Sequence, residues 1–193
     1  MGYKRADLWT IGGAEGSGKT WVLLRMVDAL DELMLSAGKD RPILVVSGEM
    51  EAREMEERLD AIKCGLSYNK LSRGELGAIE ERRYFNYLDS SQSLVRIVDS
   101  FDNLNDIEAL ITLYRPSCGF IDGSHLLSSS YEWTDIARVT ANMKRITRNK
   151  KVPIINTTHL KSEKGRSADG GSLDDFAYTK GYTRDSDIVG VLS

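Results

Sequence analysis

The segment GAEGSGKT, from Gly13 to Thr20, limits what this chain can fold into more than any other feature of its sequence. It matches the pattern G-x-x-x-x-G-K-[ST], whose glycines let successive backbone N–H groups turn toward a phosphate. The apolar run at residues 8–11 reads as a buried strand, and residues 21–35 read as a long, largely apolar helix. Because a strand precedes the segment and a helix follows it, we predict a phosphate-binding loop at the N-terminus of that helix.

Each part of the predicted loop has a chemical role. The side chain of Lys19 would reach the β- and γ-phosphates of a nucleoside triphosphate, and the hydroxyl of Thr20 would bind a Mg²⁺ ion. An accidental glycine-rich turn is the alternative, and the matching strand and helix disfavour it. The predicted nucleotide-binding residues are Gly13, Ala14, Glu15, Gly16, Ser17, Gly18, Lys19 and Thr20.

Short apolar runs alternate with longer amphipathic segments along the rest of the chain. We predict further strands at residues 43–46, 94–98, 118–121, 153–158 and 188–192, and helices at about 50–63, 75–89, 104–114 and 134–148. Strands that alternate with helices favour an α/β fold, in which a mainly parallel β-sheet carries helices on both faces. The length of 193 residues fits a single domain, residues 1–193.

Composition excludes several classes of protein. With 41% apolar and 28% charged residues, the chain has the composition of a globular protein. No run approaches the ~20 apolar residues of a membrane span, and the first residues lack the apolar core of a secretion signal, so we expect a cytoplasmic protein. Cys64 and Cys118 are isolated and form neither a disulfide framework nor a paired metal motif. The net charge of −3 argues against a uniformly basic nucleic-acid binder but is compatible with a local basic channel.

Asp122 and Glu49 are the acids that could complete a nucleotide site. Asp122 follows an apolar strand, which is where P-loop enzymes carry the carboxylate that holds Mg²⁺. Its alternative is a plain Asp-Gly turn. Glu49 follows the strand at 43–46, where the ligand crevices of open α/β sheets lie, and could orient or activate water. Its alternative is a solvated glutamate at the start of a helix, and charge alone does not separate the two interpretations.

Three short motifs follow the loop in order: SGEM at residues 47–50, ID at 121–122 and VPII at 152–155. Their order and spacing resemble the ATPase domain of DnaB-like replicative DNA helicases, phage members included, over nearly the whole chain. The resemblance implies a RecA-like P-loop NTPase with ATP and Mg²⁺ as cofactors. It implies Glu49 and Lys19 as catalytic residues and Thr20 and Asp122 as metal-binding residues. It also implies a homo-oligomer, a hexameric ring that translocates on single-stranded DNA.

His159 stands where this family usually has a glutamine that senses the γ-phosphate. The resemblance implies that His159 is the phosphate sensor, which would donate a hydrogen bond to phosphate or to the DNA-binding loop behind it. A capping or surface histidine is the alternative interpretation.

In this family two loops hold single-stranded DNA, and they correspond here to residues 123–133 and 161–171. The second loop contains Lys161, Lys164 and Arg166, predicted DNA-binding residues that suit a phosphate backbone rather than base edges. The acids Glu163 and Asp169 weaken that pattern. The helix at 134–148 is the most basic stretch of the chain, and a solvated helix surface is the favoured interpretation of its charge.

The chain begins close to the family's first ATPase strand and stops after its last one. We therefore expect a minimal motor core, without the primase-binding domain and without the Lys-x-Arg element that acts as an arginine finger. Such a finger contributes about 10³–10⁵ in rate, so the chain alone is expected to bind ATP and to hydrolyse it slowly.

Other functions stay open on the sequence. A small-molecule kinase would normally carry an arginine-rich lid, which we do not find. A GTPase is disfavoured, because the sequence NKKV at residues 149–152 lacks the aspartate that reads guanine. The main alternative is an ATP-dependent assembly or recombinase-like module that binds ATP with little turnover.

Overall fold

A computed structural model describes residues 6–128, 133–159 and 180–192. Within these ranges, six strands form one sheet in the order β3-β2-β4-β5-β1-β6, and every neighbouring pair is parallel. The strands are β1 (Leu8–Gly13), β2 (Ile43–Ser47), β3 (Val95–Val98), β4 (Cys118–Asp122), β5 (Ile154–His159) and β6 (Ile188–Leu192). Every strand predicted from an apolar run is present, with ends that differ by at most two residues.

The helices that the structure describes are α1 (Lys19–Ser36), α2 (Ala52–Cys64), α3 (Tyr68–Arg73), α4 (Ala78–Ser90), α5 (Leu104–Tyr114), α6 (Trp133–Lys150) and α7 (Lys180–Asp185). A 3₁₀ turn, Ser124–Leu127, follows β4. The sequence did not predict α3, α7 or this turn. Helix α3 has six residues, too few to display the periodicity that reveals a helix in a sequence. Among the described helices, none is both long and apolar enough to cross a membrane.

Two apolar cores cover the two faces of the sheet. On one face, α1 and α2 pack against strand residues that include Val45 and Phe120. On the other face, α5 and α6 pack against Leu44 and Ile121. The neighbours Leu44 and Val45 belong to different cores because successive side chains of a strand point to opposite faces. The predicted α/β fold with helices on both faces of a parallel sheet is therefore confirmed.

The carboxyl ends of these parallel strands meet at one edge of the sheet. Ser47 of β2 pairs with Asp122 of β4, and Gly13 of β1 pairs with His159 of β5. In the sheet, β4 lies next to β5, so these four strands follow one another in the order β2, β4, β5, β1. The residues at their carboxyl ends therefore lie close together. Open α/β sheets bind their ligands outside this edge.

Candidate nucleotide-binding site

The loop between β1 and α1 has the backbone of a phosphate cradle. Gly16 and Gly18 have φ values of 75° and 84°, in the left-handed region that favours glycine. A Cβ atom at Gly13 would lie 2.4 Å from Oγ of Ser17, so a larger residue there would push the loop open. The glycines predicted from the motif therefore stand where the loop requires them.

Lys19, the first residue of α1, is only 6% exposed. Its ammonium group donates hydrogen bonds to the carbonyl oxygens of Gly13 (3.2 Å) and Ala14 (2.7 Å), and the loop curls around it. Burial lowers the pKa of Lys19, and this effect exceeds the opposing influence of the nearby carboxylates of Glu49, Asp122 and Glu15. An anion placed beside the amine would stabilise its charged form.

Two further observations fit a phosphate in this loop. Oγ of Ser17 is buried and has no hydrogen-bond partner among the described residues. Helix α1 has neither a side-chain cap at Gly18 nor an acidic residue in its first turn, so in the described part of the chain its N-terminal N–H groups have neither of these usual partners. A phosphate group would supply acceptors for both and would lie at the positive end of the helix.

Asp122 lies at the end of β4, is 1% exposed, and contacts the first turn of α1. Oγ1 of Thr20 donates a hydrogen bond to Oδ2 of Asp122 (2.8 Å), and Oγ1 of Thr157 donates one to Oδ1 (2.6 Å). Burial raises the pKa of Asp122, and these two hydroxyl donors oppose the rise. A hydroxyl and a carboxylate in contact offer the oxygen ligands that Mg²⁺ prefers, so the pair predicted from the sequence suits this ion.

Thr157 is a residue that sequence reasoning missed. Its buried hydroxyl accepts a hydrogen bond from the backbone N–H of Gly123 (2.9 Å) while it donates to Asp122. It thereby holds both the carboxylate and the turn that follows β4. The signal was the polar run NTT inside an otherwise buried strand, since buried polar groups need partners.

Glu49 lies beyond the end of β2, and its carboxylate, 29% exposed, faces the sheet edge. Its Oε1 lies 3.1 Å from Nε2 of His159, within hydrogen-bond distance, and 3.9 Å from Nε2 of His125. Gly123 allows this approach, because a Cβ atom there would lie 2.9 Å from Cγ of Glu49. The structure thus brings together the predicted catalytic glutamate and the predicted phosphate sensor.

His125 is the second residue that sequence reasoning missed. It lies on the 3₁₀ turn after β4, and its ring packs edge-on against that of His159, with ring centroids 4.4 Å apart. Burial, with smaller effects of His159 and Lys19, lowers the pKa of His125 to about 4. Its position in a loop predicted to contact DNA carried no signal of this contact.

Comparison with known proteins decides the family. The whole chain, residues 1–193, matches the family of the DnaB-like helicase C terminal domain. The chain belongs to this family. The resemblance stated from the motifs is therefore confirmed, and with it the prediction of an ATP-binding helicase domain of DNA replication. DnaB-like helicase domains bind nucleotide, typically with Mg²⁺.

Two solved structures share the fold of this DnaB-like domain. One is an ATPase domain, with a TM-score of 0.85 and 20% sequence identity over 98% of this chain and 70% of that chain. The other is a DnaB-like replicative helicase, studied with its interactions with primase, with a TM-score of 0.82 and 19% identity. That alignment covers 98% of this chain and 49% of the helicase, so the domain spans about half of that protein. The RecA-like fold is confirmed. No curated protein sequence matches the chain significantly.

The predicted DNA-binding residues of this DnaB-like domain, Lys161, Lys164 and Arg166, lie outside the described residues. The first predicted DNA loop, 123–133, is described only in part. On the basic helix α6, Arg138, Lys144 and Lys150 form ion pairs with the acids Asp135, Asp187 and Glu108, whereas Arg145 and Arg148 are exposed. Acids of the same chain therefore pair with three of the basic side chains of α6.

Proposed function

We propose that this chain is the ATP-hydrolysing motor of a hexameric DnaB-type helicase that translocates on single-stranded DNA. The observation that carries the proposal is the meeting of Lys19, the Thr20–Asp122 hydrogen bond and Glu49 at one edge of the sheet. Family membership supports it, because DnaB-like helicases are hexamers that bind single-stranded DNA. Such a motor would act in the cytoplasm of a bacterial cell or of a phage-infected host.

The site would act on ATP through positioning and charge. The N–H groups of residues 13–18 and the N-terminus of α1 would hold the phosphates, and Lys19 would exchange its carbonyl partners for phosphate oxygens. Thr20 and Asp122 would hold Mg²⁺, which neutralises the charge that develops during phosphoryl transfer. The carboxylate of Glu49 would orient the attacking water and accept its proton.

His159 would change its hydrogen-bond partner between the empty site and the site that holds a γ-phosphate. Its Nε2 contacts Oε1 of Glu49, so the ring lies within reach of the carboxylate that handles the water. When a γ-phosphate enters, the same nitrogen can donate to phosphate instead and release Glu49. Because β5 ends at His159 and the predicted DNA loop 161–171 follows at once, this exchange would reach the DNA.

The test is steady-state ATP hydrolysis with and without single-stranded DNA, with the oligomeric state recorded in the same samples. We expect DNA to raise the rate of the unaltered chain. We expect Glu49→Gln to lower the rate by about 10²–10⁴, the usual contribution of a general base, while ATP binding persists.

The matched control is Glu51→Gln, which removes the same charge two residues away. Glu51 is exposed and its side chain does not cap α2. The hydrolysis rate of Glu51→Gln should therefore stay within about twofold of that of the unaltered chain, as expected for a surface substitution. Tight ATP binding with no turnover, unchanged by Glu49→Gln, would contradict the motor and favour a module that uses ATP for assembly.

A further inference from the structure

The chain contains two histidines, and both lie against Glu49. His125 comes from the turn after β4 and His159 from the end of β5, so distant parts of the sequence meet here. Both rings present Nε2 to the same carboxylate oxygen, at 3.9 and 3.1 Å. The steps of ATP hydrolysis derived above make no use of His125.

The donor atoms of this cluster lie close enough to share one cation. One ligand atom each from Glu49, His125 and His159 lies within 4.8 Å of the others. In a tetrahedral zinc site with Zn–N bonds of about 2.0–2.1 Å, the ligand atoms are about 3.3 Å apart. The distance of 3.1 Å between Glu49 and His159 is slightly shorter than this spacing, and the distance of 3.9 Å between Glu49 and His125 is somewhat longer.

The chemistry of the donors selects a transition metal rather than Mg²⁺. Two imidazoles with one carboxylate are a ligand set of catalytic zinc sites, in which three protein side chains bind the ion and a water or substrate takes the fourth position. Mg²⁺ prefers oxygen ligands and keeps most of its water, which suits Thr20 and Asp122 better. A transition-metal ion would therefore bind at the histidines, and Mg²⁺ would bind at Thr20 and Asp122 in the same crevice.

The state of His125 favours metal binding over a structural role for its ring. The side chain is 12% exposed, and its Nε2 lies 3.9 Å from the carboxylate oxygen of Glu49, so one cation could contact both groups. Its Nδ1 is buried without a hydrogen-bond partner in the part of the chain that the structure describes. Metal-bound histidines usually donate that second N–H to an acceptor, and lack of it weakens a site by about 10–100-fold. The affinity should therefore be that of a reversible site.

We propose that Glu49, His125 and His159 bind a transition-metal cation of the Zn²⁺ class, and that this metal stops ATP hydrolysis by occupying the carboxylate of Glu49. The second half rests on the function proposed above, whereas the binding site itself does not. Bound metal would hold both Glu49 and His159 in place. ATP binding would persist, because the phosphate loop and the Thr20–Asp122 pair remain free.

The binding half is tested without nucleotide and in excess Mg²⁺. Zn²⁺ is titrated into the chain while the two imidazole Cε1–H signals are followed by NMR, with each signal assigned from His125→Gln and His159→Gln. We expect both signals to shift together and to saturate at one equivalent. Each variant should weaken binding by about tenfold or more, since even loss of a hydrogen-bond partner of a ligand costs about 10–100-fold.

The controls separate this site from other zinc ligands and from misfolding. Cys64→Ser removes a thiol that could take Zn²⁺ and should leave both shifts unchanged. Because His125 is buried, circular dichroism checks the folding of its variant, and the more exposed His159 provides an independent variant. Unlinked shifts of the two signals, or undiminished binding in both variants, would overturn the site.

The inhibitory half is tested by the ratio of ATPase rates with and without Zn²⁺ within each variant. We expect Zn²⁺ that saturates the unaltered chain to lower its ATPase rate more than about tenfold, and a chelator to restore that rate. The same Zn²⁺ concentration should change the rate of His125→Gln less than about twofold. Saturated binding with an unchanged rate would overturn inhibition alone. Absence of hydrolysis even without Zn²⁺ would contradict the motor function, and the NMR titration would still decide the metal site.

Discussion

Asp122 and Glu49 follow neighbouring strands and face the same crevice, but the protein holds their carboxylates in opposite ways. Asp122 is 1% exposed and accepts hydrogen bonds from two threonine hydroxyls, one from α1 and one from β5. Glu49 is an exposed residue whose side chain is 29% exposed, and its carboxylate lies 3.1 and 3.9 Å from two imidazole nitrogens. A buried carboxylate with fixed donors suits a metal ion, because its position does not change when the ion arrives. A half-exposed carboxylate that can exchange partners suits a group that must accept a proton and release it.

The largest effect that separates the two carboxylates should come from Asp122→Asn. Loss of the metal-holding charge should lower hydrolysis by about 10²–10³, the usual cost of removing one preorganised electrostatic contact. It should also weaken binding of ATP in the presence of Mg²⁺ by at least about tenfold. Glu49→Gln, in contrast, should leave ATP binding in place. Calorimetric titration with a slowly hydrolysed ATP analogue measures the affinities of both variants.

Asp89→Asn is the control for charge, since Asp89 is exposed on α4. Equal nucleotide affinities for Asp122→Asn and Glu49→Gln would remove the distinction between a metal-holding and a water-handling carboxylate.

The second effect tests why Asp122 is rigid. Thr157→Val keeps the shape of the side chain but leaves Oδ1 of Asp122 and the N–H of Gly123 without their partner. We expect the free energy of unfolding to fall by about 1–3 kcal/mol, the cost of an unsatisfied buried polar group. Chemical denaturation measures this change, and Thr157→Ser, which keeps the hydroxyl, should recover most of it. An unchanged stability in Thr157→Val would show that the hydroxyl does not hold the carboxylate.

A third effect tests whether ATP hydrolysis depends on the contact between Glu49 and His159. His159→Ala should lower DNA-stimulated hydrolysis about tenfold, at the low end of what one positioned polar group contributes. His159→Gln restores a hydrogen-bonding amide and should retain more activity than His159→Ala. Parallel assays with and without single-stranded DNA check this order. If both variants hydrolyse ATP like the unaltered chain, His159 is a surface histidine and not a sensor.

The smallest effect concerns the segment beyond His159. Replacing Lys161, Lys164 and Arg166 together with alanine should reduce the salt dependence of DNA binding by about two to three units of slope, roughly one for each lost phosphate contact. ATP hydrolysis without DNA should change little. Binding isotherms at several salt concentrations measure the slope, and Arg145→Ala on α6 serves as the basic control. An unchanged slope in the triple variant would place DNA binding elsewhere.

Much of this fold was readable from local pattern. The described strands and most of the long helices follow apolar runs of the expected period, because burial on a sheet face or a helix face repeats along the sequence, whereas α4 buries no residue. The exceptions have physical reasons. Helix α3 has six residues and the 3₁₀ turn after β4 has four, so neither is long enough to show a helical period.

The candidate site divides in the same way. Residues 13–20 could be assigned from the sequence because a phosphate loop is a local motif, with its glycines and its lysine fixed by spacing. The roles predicted for Glu49 and Asp122 needed the resemblance, since an acid after a strand has several interpretations. The contribution of Thr157 could not be assigned, because its partners lie 35 and 34 residues away along the chain.

By itself, then, the sequence determined the phosphate loop, the alternation that produces a parallel sheet, and the order of motifs that belongs to DnaB-like helicases. Those properties depend on residues that are close together along the chain, and their spacing can be seen in the sequence itself. Only the tertiary structure decided that Asp122 would be buried between two hydroxyls and that Glu49 would meet both histidines. Side chains from β2, β4 and β5 converge there because parallel strands end at a common edge, and such long-range proximity follows from how the strands are ordered in the sheet.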